Sequence, residues 1–328
     1  MDEEFSRDTL ASVARRFYLE DASKVELGIE YGVSRFKIAR MLQVARESGV
    51  VTIEIHNRDD QRQALAARLA LHLGLDDVLV VPNGDSEEAD RQRIAFESAR
   101  YLSRITRPDD TIGVSWGRTI YALTEYLRDL PPCTVVQLTG TVGNDFAQSP
   151  MEVLQRIAAR HPLSTVGIFA PLFAATPTAA QVLRSETSIA DALATYDRLT
   201  TAVLAIGSWN PPITQIRSLL APDELADLDS EHAVAEVVAS FLDADGRVID
   251  LPLNQRRIAI EIEQLRATPR VIAAAGSLAK VPAIHAVASS GILTMLVTDE
   301  AAALELLLLP KITRHTRLAN DSDLEHSA

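Results

Sequence analysis

Apolar positions follow two rhythms along this chain. Through the first fifty residues they recur every three or four positions, as on one face of a helix. From residue 77 onward, short unbroken apolar runs alternate with helical stretches. The first rhythm predicts a helix over residues 9–19, a short second helix from Ser23, and a third in which Ile38, Met41, Leu42 and Ala45 share the inner face. Ser23 is placed to cap the second helix, and Glu26 three residues on completes a capping box. Val25 and Ile29, with Leu27, are expected to form the apolar side of that helix. Gly32 should end it in the left-handed conformation, Gly28 should let the two helices cross closely, and Ser34 should cap the third. Residues 50–55, Val-Val-Thr-Ile-Glu-Ile, read as a following strand.

The second rhythm predicts strands over residues 78–81, 111–114, 134–138, 202–206, 270–275 and 293–297, with a further extended segment at 165–169. Helices are expected over 86–105, 119–127, 151–160, within 178–194, and over 278–289 and 301–309. Short apolar strands alternating with helices imply a parallel sheet covered on both faces. The alternation lapses over residues 231–265, where a turn at 243–246 and an antiparallel strand at 247–250 are expected. Residues 58–73 form a helix too apolar for a free linker, with Leu65, Leu69 and Leu73 at helical intervals; it should pack on the body or on a second subunit. His72 is expected on its surface. The implied fold class is α/β. Residues 1–56 form a winged helix-turn-helix, 57–74 a connecting helix, 75–310 a larger Rossmann-like parallel-sheet domain, and 311–328 a polar, frayed tail.

Charge sharpens the reading of the first part. Over residues 35–46 the outer face of the third helix carries Arg35, Lys37, Arg40 and Arg46 with no acidic residue among them. A helix-turn-helix presents the N-terminal end of its second helix to the DNA major groove, which puts Ser34, Arg35, Phe36, Lys37 and Arg40 toward DNA. An ordinary helical hairpin with a solvated basic face has the same spacing, but the flanking helix and strand favour the DNA-binding reading. The whole chain of 328 residues carries a net charge of −13, which excludes coating nucleic acid by bulk attraction but not docking through one local basic face. One cysteine, Cys133, rules out an intrachain disulfide and is expected as a buried small hydrophobe. No signal sequence or membrane-spanning run is expected, and a cytoplasmic location follows. No set of residues has metal-ligand spacing, so neither metal nor cofactor is expected.

In parallel α/β sheets, ligands bind beyond the carboxyl ends of the strands. Three strand ends here carry suitable residues. Gly-Val-Ser-Trp-Gly-Arg-Thr at 113–119 turns through Ser115 and Gly117 into a helix start, where Arg118, Thr119 and backbone N–H groups could cradle an anion. Gln-Leu-Thr-Gly-Thr-Val-Gly at 137–143 is a second Gly/Thr loop. Gly-Ser-Leu-Ala-Lys at 276–280 places Lys280 in the first turn of a helix, where a cation opposes the dipole unless an anion faces it. Gly207 to Asn210 form a weaker fourth strand end. The 113–117 segment also spells Gly-x-Ser-x-Gly, but His161, His232 and His285 lack the context a hydrolase triad would need. A sugar-phosphate isomerase would use the same anion loops with a carboxylate base.

Taken in order, residues 23–46, 48–55, 113–117, 135–138, 241–246, 252–254, 275–280 and 297–302 resemble the SorC/DeoR-type sugar-binding transcriptional regulators, along nearly the whole chain. The resemblance implies a body like the glucosamine-phosphate deaminase and ribose-phosphate isomerase fold. It also implies a sugar, polyol or sugar-phosphate effector in the strand-end cleft, and an oligomeric regulator, dimer or tetramer, of a carbohydrate-catabolic operon on palindromic DNA. Carried over residue by residue, Ser115, Gly117, Arg118 and Thr119 would cradle phosphate or hydroxyls, Thr139, Gly140 and Thr141 would line a second loop, and Lys280 would pair with an effector anion. Glu236 follows Ala235 where many relatives read Gly-Asp, and Asn254-Gln255 replaces Asn-Asp. Thr139 stands where a lysine would be needed for imine capture, so effector binding should be non-covalent. The alternative is an isomerase- or deaminase-like enzyme carrying a DNA-binding head; a DNA-binding scaffold without a ligand is a third.

Overall fold

Three helices build the N-terminal unit: α1 (Arg7–Leu19), α2 (Lys24–Glu30) and α3 (Arg35–Glu47). This computed structural model describes residues 5–51, 58–142, 149–161 and 163–313; the chain divides into two compact units, Met1–Asn57 and Arg58–Ala328. The strand expected at 50–55 falls mostly outside the described residues, as do residues 314–328 of the tail. Ser6, Ser23 and Ser34 cap the three helices through backbone N–H groups three residues on, and the Ser23–Glu26 capping box is complete. The core of the unit is Leu10, Val13, Ala14, Leu27, Ile38, Met41, Leu42 and Ala45. Val25 and Ile29 are 55% and 79% exposed, whereas Leu27 is fully buried. At 100° per residue Leu27 lies on the opposite side of α2 from Val25 and Ile29, and the side packed on α3 is the one with fewer large apolar residues.

The second unit opens with α4 (Arg58–Leu73), whose Leu65, Leu69 and Leu73 enter the body's core. There follow β1 (Asp77–Val81), α5 (Glu87–Ile105), β2 (Thr111–Val114), α6 (Arg118–Tyr126), β3 (Thr134–Gln137), α7 (Pro150–Ala158) and β4 (Ser164–Val166). Next come α8 (Pro177–Ser185), α9 (Thr187–Ala194), β5 (Thr201–Leu204), β6 (Gly207–Ser208), α10 (Pro222–Ser230), β7 (Ala235–Val237) and β8 (Ser240–Leu242). The chain closes with α11 (Ile262–Ala267), β9 (Arg270–Ala274), α12 (Val281–Ser289), β10 (Met295–Asp299) and α13 (Glu300–Leu306). Seven strands form a parallel sheet in the order β1-β10-β9-β5-β2-β3-β4. Alternate side chains along each strand feed two cores. One lies under α4, α12 and α13 and the other under α5, α6 and α7, as expected of strands buried on both faces. Among the described residues no helix is long and apolar enough to cross a membrane.

The lapse at 231–265 supplies β7 and β8, which join β6 in a three-stranded antiparallel sheet over its own core of Trp209, Ile216, Leu228, Phe241 and Leu253. The strand expected at 247–250 is reduced to one bridge between Leu242 and Val248, because the turn at 243–246 leads straight back onto β8. Lys280 is not in the first turn of an α-helix. It ends a 3₁₀ turn (Leu278–Lys280), and α12 starts at Val281 with Pro282 beside its N-terminus, where the missing N–H costs nothing. Of the tail only residues 311–313 are described; Ile312 N–H donates to His72 O at 2.9 Å, and His72 Nε2 lies 2.9 Å from Leu309 O. Cys133 is buried, and burial raises its thiol pKa, so it stays a neutral thiol.

Candidate functional sites

In the first unit, the α2–turn–α3 hairpin sets the spacing of the basic face. Gly28 lies where a Cβ would stand 2.8 Å from Val33 O, and Gly32 takes φ +64° to turn the chain into Ser34. Ser34 Oγ accepts the Lys37 N–H, fixing the first turn of α3. Ile38, Met41, Leu42 and Ala45 face the core, which leaves Arg35, Phe36, Lys37 and Arg40 exposed at the start of α3, as the spacing predicts. Arg16, ion-paired to Glu20 and Glu30, ties the ends of α1 and α2 together. The surface so built is a cationic helix end with an exposed aromatic side chain, Phe36, between Arg35 and Lys37.

In the second unit, β3 and β4 extend the sheet to one side of β2, while β5, β9 and β10 extend it to the other. The chain order therefore reverses between β2 and β5, and a crevice opens there beyond the strand ends. Its walls come from the loop after β2 (Ser115 to Thr119), the loop after β5 (Ala205 to Gly207), the loop after β9 (Gly276 to Lys280), the first turns of α5, and β7. Gly117 is the N-cap of α6 at φ +116°, a conformation closed to most L-residues; it bares the helix's first N–H groups toward the crevice without a capping side chain. Ser115 Oγ accepts the Ala205 N–H at 2.9 Å, a bond that ties the β2 loop to the β5 loop.

Glu236 and Lys280 both line the cleft. Glu236 is buried; its carboxylate accepts Ala239 N–H at 2.8 Å and Thr214 Oγ1–H at 3.0 Å. Burial raises its pKa, opposed by those two donors and by Lys280 and Arg257. Lys280 Nζ donates to Ile206 O at 2.8 Å, and burial, with Arg118 and Arg91, pushes its pKa down to about 8 against the pull of Glu236 and Glu87. The hairpin after Glu236 turns through Val238 and Ala239, both at positive φ, a costly conformation for residues with a Cβ. Buried Arg257 holds that turn by donating to Val238 O, Ser240 Oγ and Ile260 O. Opposite, Asp299 caps α13 through Ala302 N–H and accepts Ser277 N–H at 2.6 Å, which fixes the β9 loop.

Ser115, Gly117, Arg118, Thr119, Glu236 and Lys280 thus line one cleft. Thr139, Gly140 and Thr141 do not. The loop after β3 lies one strand farther from the reversal, and its backbone is spent on structure: Gly140 N–H donates to Ile258 O and Thr141 N–H to Ala170 O. Thr139 Oγ1 is buried and has no hydrogen-bond partner. Sequence reasoning missed Glu87, Asp90 and Arg91 on α5, and Trp116, Thr214 and Gln215. The signal for the α5 group was a charged first turn directly after a strand; nothing local marks Thr214. Among the described residues no histidine lines the cleft; His161, His232 and His285 all lie elsewhere. Among the described residues no group of His, Cys, Asp and Glu could hold a metal. Three cations and three carboxylates around hydroxyl donors suit a small polyhydroxy ligand, with or without an anionic group.

The family model described as "Putative sugar-binding domain" matches residues 60–308. The LsrR transcriptional regulator of Klebsiella pneumoniae is 26% identical over 309 residues, covering 92% of this chain and 93% of that protein. The erythritol catabolism regulatory protein EryD of Brucella abortus is 28% identical over 284 residues, covering 85% and 90%. The crystal structure of the full-length sorbitol operon regulator SorC from Klebsiella pneumoniae superposes with a TM-score of 0.72 at 24% identity, covering 93% of this chain and all of that one.

Proposed function

From the premise that this chain belongs to the Sugar-bind family of SorC-type regulators, we propose a transcriptional regulator that senses a small carbohydrate. Its α2–turn–α3 unit docks in the major groove, with Ser34, Arg35, Phe36, Lys37 and Arg40 toward the DNA. Its body takes a sugar, polyol or sugar phosphate, non-covalently, in the cleft between β2 and β5. Relatives named for erythritol catabolism and the sorbitol operon favour a ligand of that chemistry. The observation that carries the reading is the convergence of Ser115, Arg118, Thr119, Glu236 and Lys280 at the point where strand order reverses. One head offers little surface, so a homo-oligomer on a palindromic operator supplies the affinity. The protein works in the cytoplasm without a cofactor, and the ligand acts by favouring one body arrangement over another.

The test is a thermal-shift series on the full chain with sugars, polyols and their phosphates. A ligand at a hundred times its dissociation constant adds about 2.7 kcal/mol of stability. Stabilisation by one chemical family, together with altered DNA binding in its presence, is expected; no stabilisation by any of them would overturn the effector reading. A second reading has one observation in its favour. A buried carboxylate of raised pKa beside a lysine, Glu236 and Lys280, is what a sugar-phosphate isomerase uses as its base. Any ligand found should therefore be followed by NMR with the protein for chemical change; we expect none, and turnover abolished by Glu236→Gln would establish the enzyme instead.

A further inference from the structure

Phe36 is 72% exposed, in the middle of the cationic end of α3. It lies two residues from buried Ile38, about 200° around the helix, and so takes no part in the core. The Arg35 guanidinium carbon stands 4.9 Å over the centre of its ring, a cation–π pair that draws the guanidinium toward the phenyl face. A bare phenyl ring among Arg35, Lys37 and Arg40 is poorly placed for water and poorly placed for an apolar protein partner, which would have to bury the cations as well. One surface complements both. In the major groove, an apolar 5-methyl group on thymine lies between rows of phosphates.

We propose that Phe36 packs on a thymine methyl in the major groove and makes a thymine in each half-site a determinant of operator choice, with Arg35 held against the ring to meet the neighbouring guanine edge or phosphate. This rests on the DNA-binding reading of α3 above. It makes Phe36 a reader of base identity, whereas Lys37 contributes charge.

The experiment begins by selecting duplexes from a random-sequence library with the full-length chain. Binding of the selected duplex is then measured at low salt by fluorescence anisotropy, with each thymine replaced in turn by uracil, which removes only the methyl group. For the native chain, one replacement per half-site should weaken binding about fourfold, the value of one buried methyl-sized group. Phe36→Ala should bind the thymine and uracil duplexes equally, with an unchanged melting temperature, and Phe36→Leu should keep part of the preference. If no sequence is enriched, the DNA-binding reading itself fails. If sequences are enriched but no uracil replacement matters, or Phe36→Ala still distinguishes thymine from uracil, the assignment of Phe36 is overturned. Complete loss of binding by a folded Phe36→Ala also overturns it, because a single methyl contact cannot carry the whole affinity.

Discussion

At the scale of single residues, Lys280 carries the most informative titration. Its ammonium is pushed down to about 8 by burial and by Arg118 and Arg91, below the value near 10.4 of a free lysine. Between those limits the unfolded chain binds more protons than the folded one, so this group's contribution to stability rises with pH across that window. For an anionic ligand the sign reverses, since the ligand needs the charged lysine. Affinity for a sugar phosphate should be level near pH 7 and fall above pH 8, by up to about tenfold per unit for one proton lost. Titration calorimetry across that range checks this. Lys280→Ala should weaken binding at pH 7 and flatten the profile while leaving DNA affinity in the absence of ligand unchanged; a native profile in the variant would remove Lys280 from the site.

At the scale of elements, the α2–α3 hairpin depends on backbone-to-backbone approach. A side chain at position 28 would press on Val33 O, 2.8 Å from the position of its Cβ. Gly28→Val should therefore cost the head about 1–3 kcal/mol, the usual penalty of overpacking. The expected outcome is loss of DNA binding with ligand-induced stabilisation of the body retained, read by electrophoretic mobility shift beside thermal shift. The capping serines and the helices they start were legible from local pattern, because the cap and its N–H partner lie three residues apart. The burial of α2 was not. Val25 and Ile29 make the more apolar stripe, yet the packing of α1 and α3 selects Leu27 and Gly28, and no local signal shows which side two other helices will cover.

At the scale of the whole molecule, the chain forms two compact units, residues 1–57 and 58–328, and the proposed function assigns DNA to the first and the ligand to the second. Arg35→Ala combined with Arg40→Ala should abolish operator binding, with a loss of at least about fivefold from the first contact alone, while the thermal shift given by ligand stays native. Equal damage to both activities would argue against separate modules. The net charge of −13 over the whole chain adds a condition. Docking through a small basic patch on an acidic protein should weaken steeply with salt, because phosphate contacts release counterions.

Although α10, α11 and the β6-β7-β8 sheet escaped sequence reasoning, the amino-acid sequence by itself determined the alternation of strands and helices in the parallel sheet, the Ser23 and Ser34 caps, the basic helix face and the three strand ends rich in Gly, Ser and Thr. Each of these is a matter of neighbours within a turn or a strand, where hydrophobic period and hydrogen-bonding side chains act locally. Only the tertiary structure decided which strand ends meet. Strand order placed β5 beside β2, which brought Ser115, Arg118 and Thr119 to Lys280 and Glu236 and left Thr139, Gly140 and Thr141 one strand farther out. It also brought Arg91 from α5 and Thr214 from a loop into the same cleft. Strand order is settled by how the helices share two faces of one sheet, a balance summed over the whole core, and no short stretch of residues carries it.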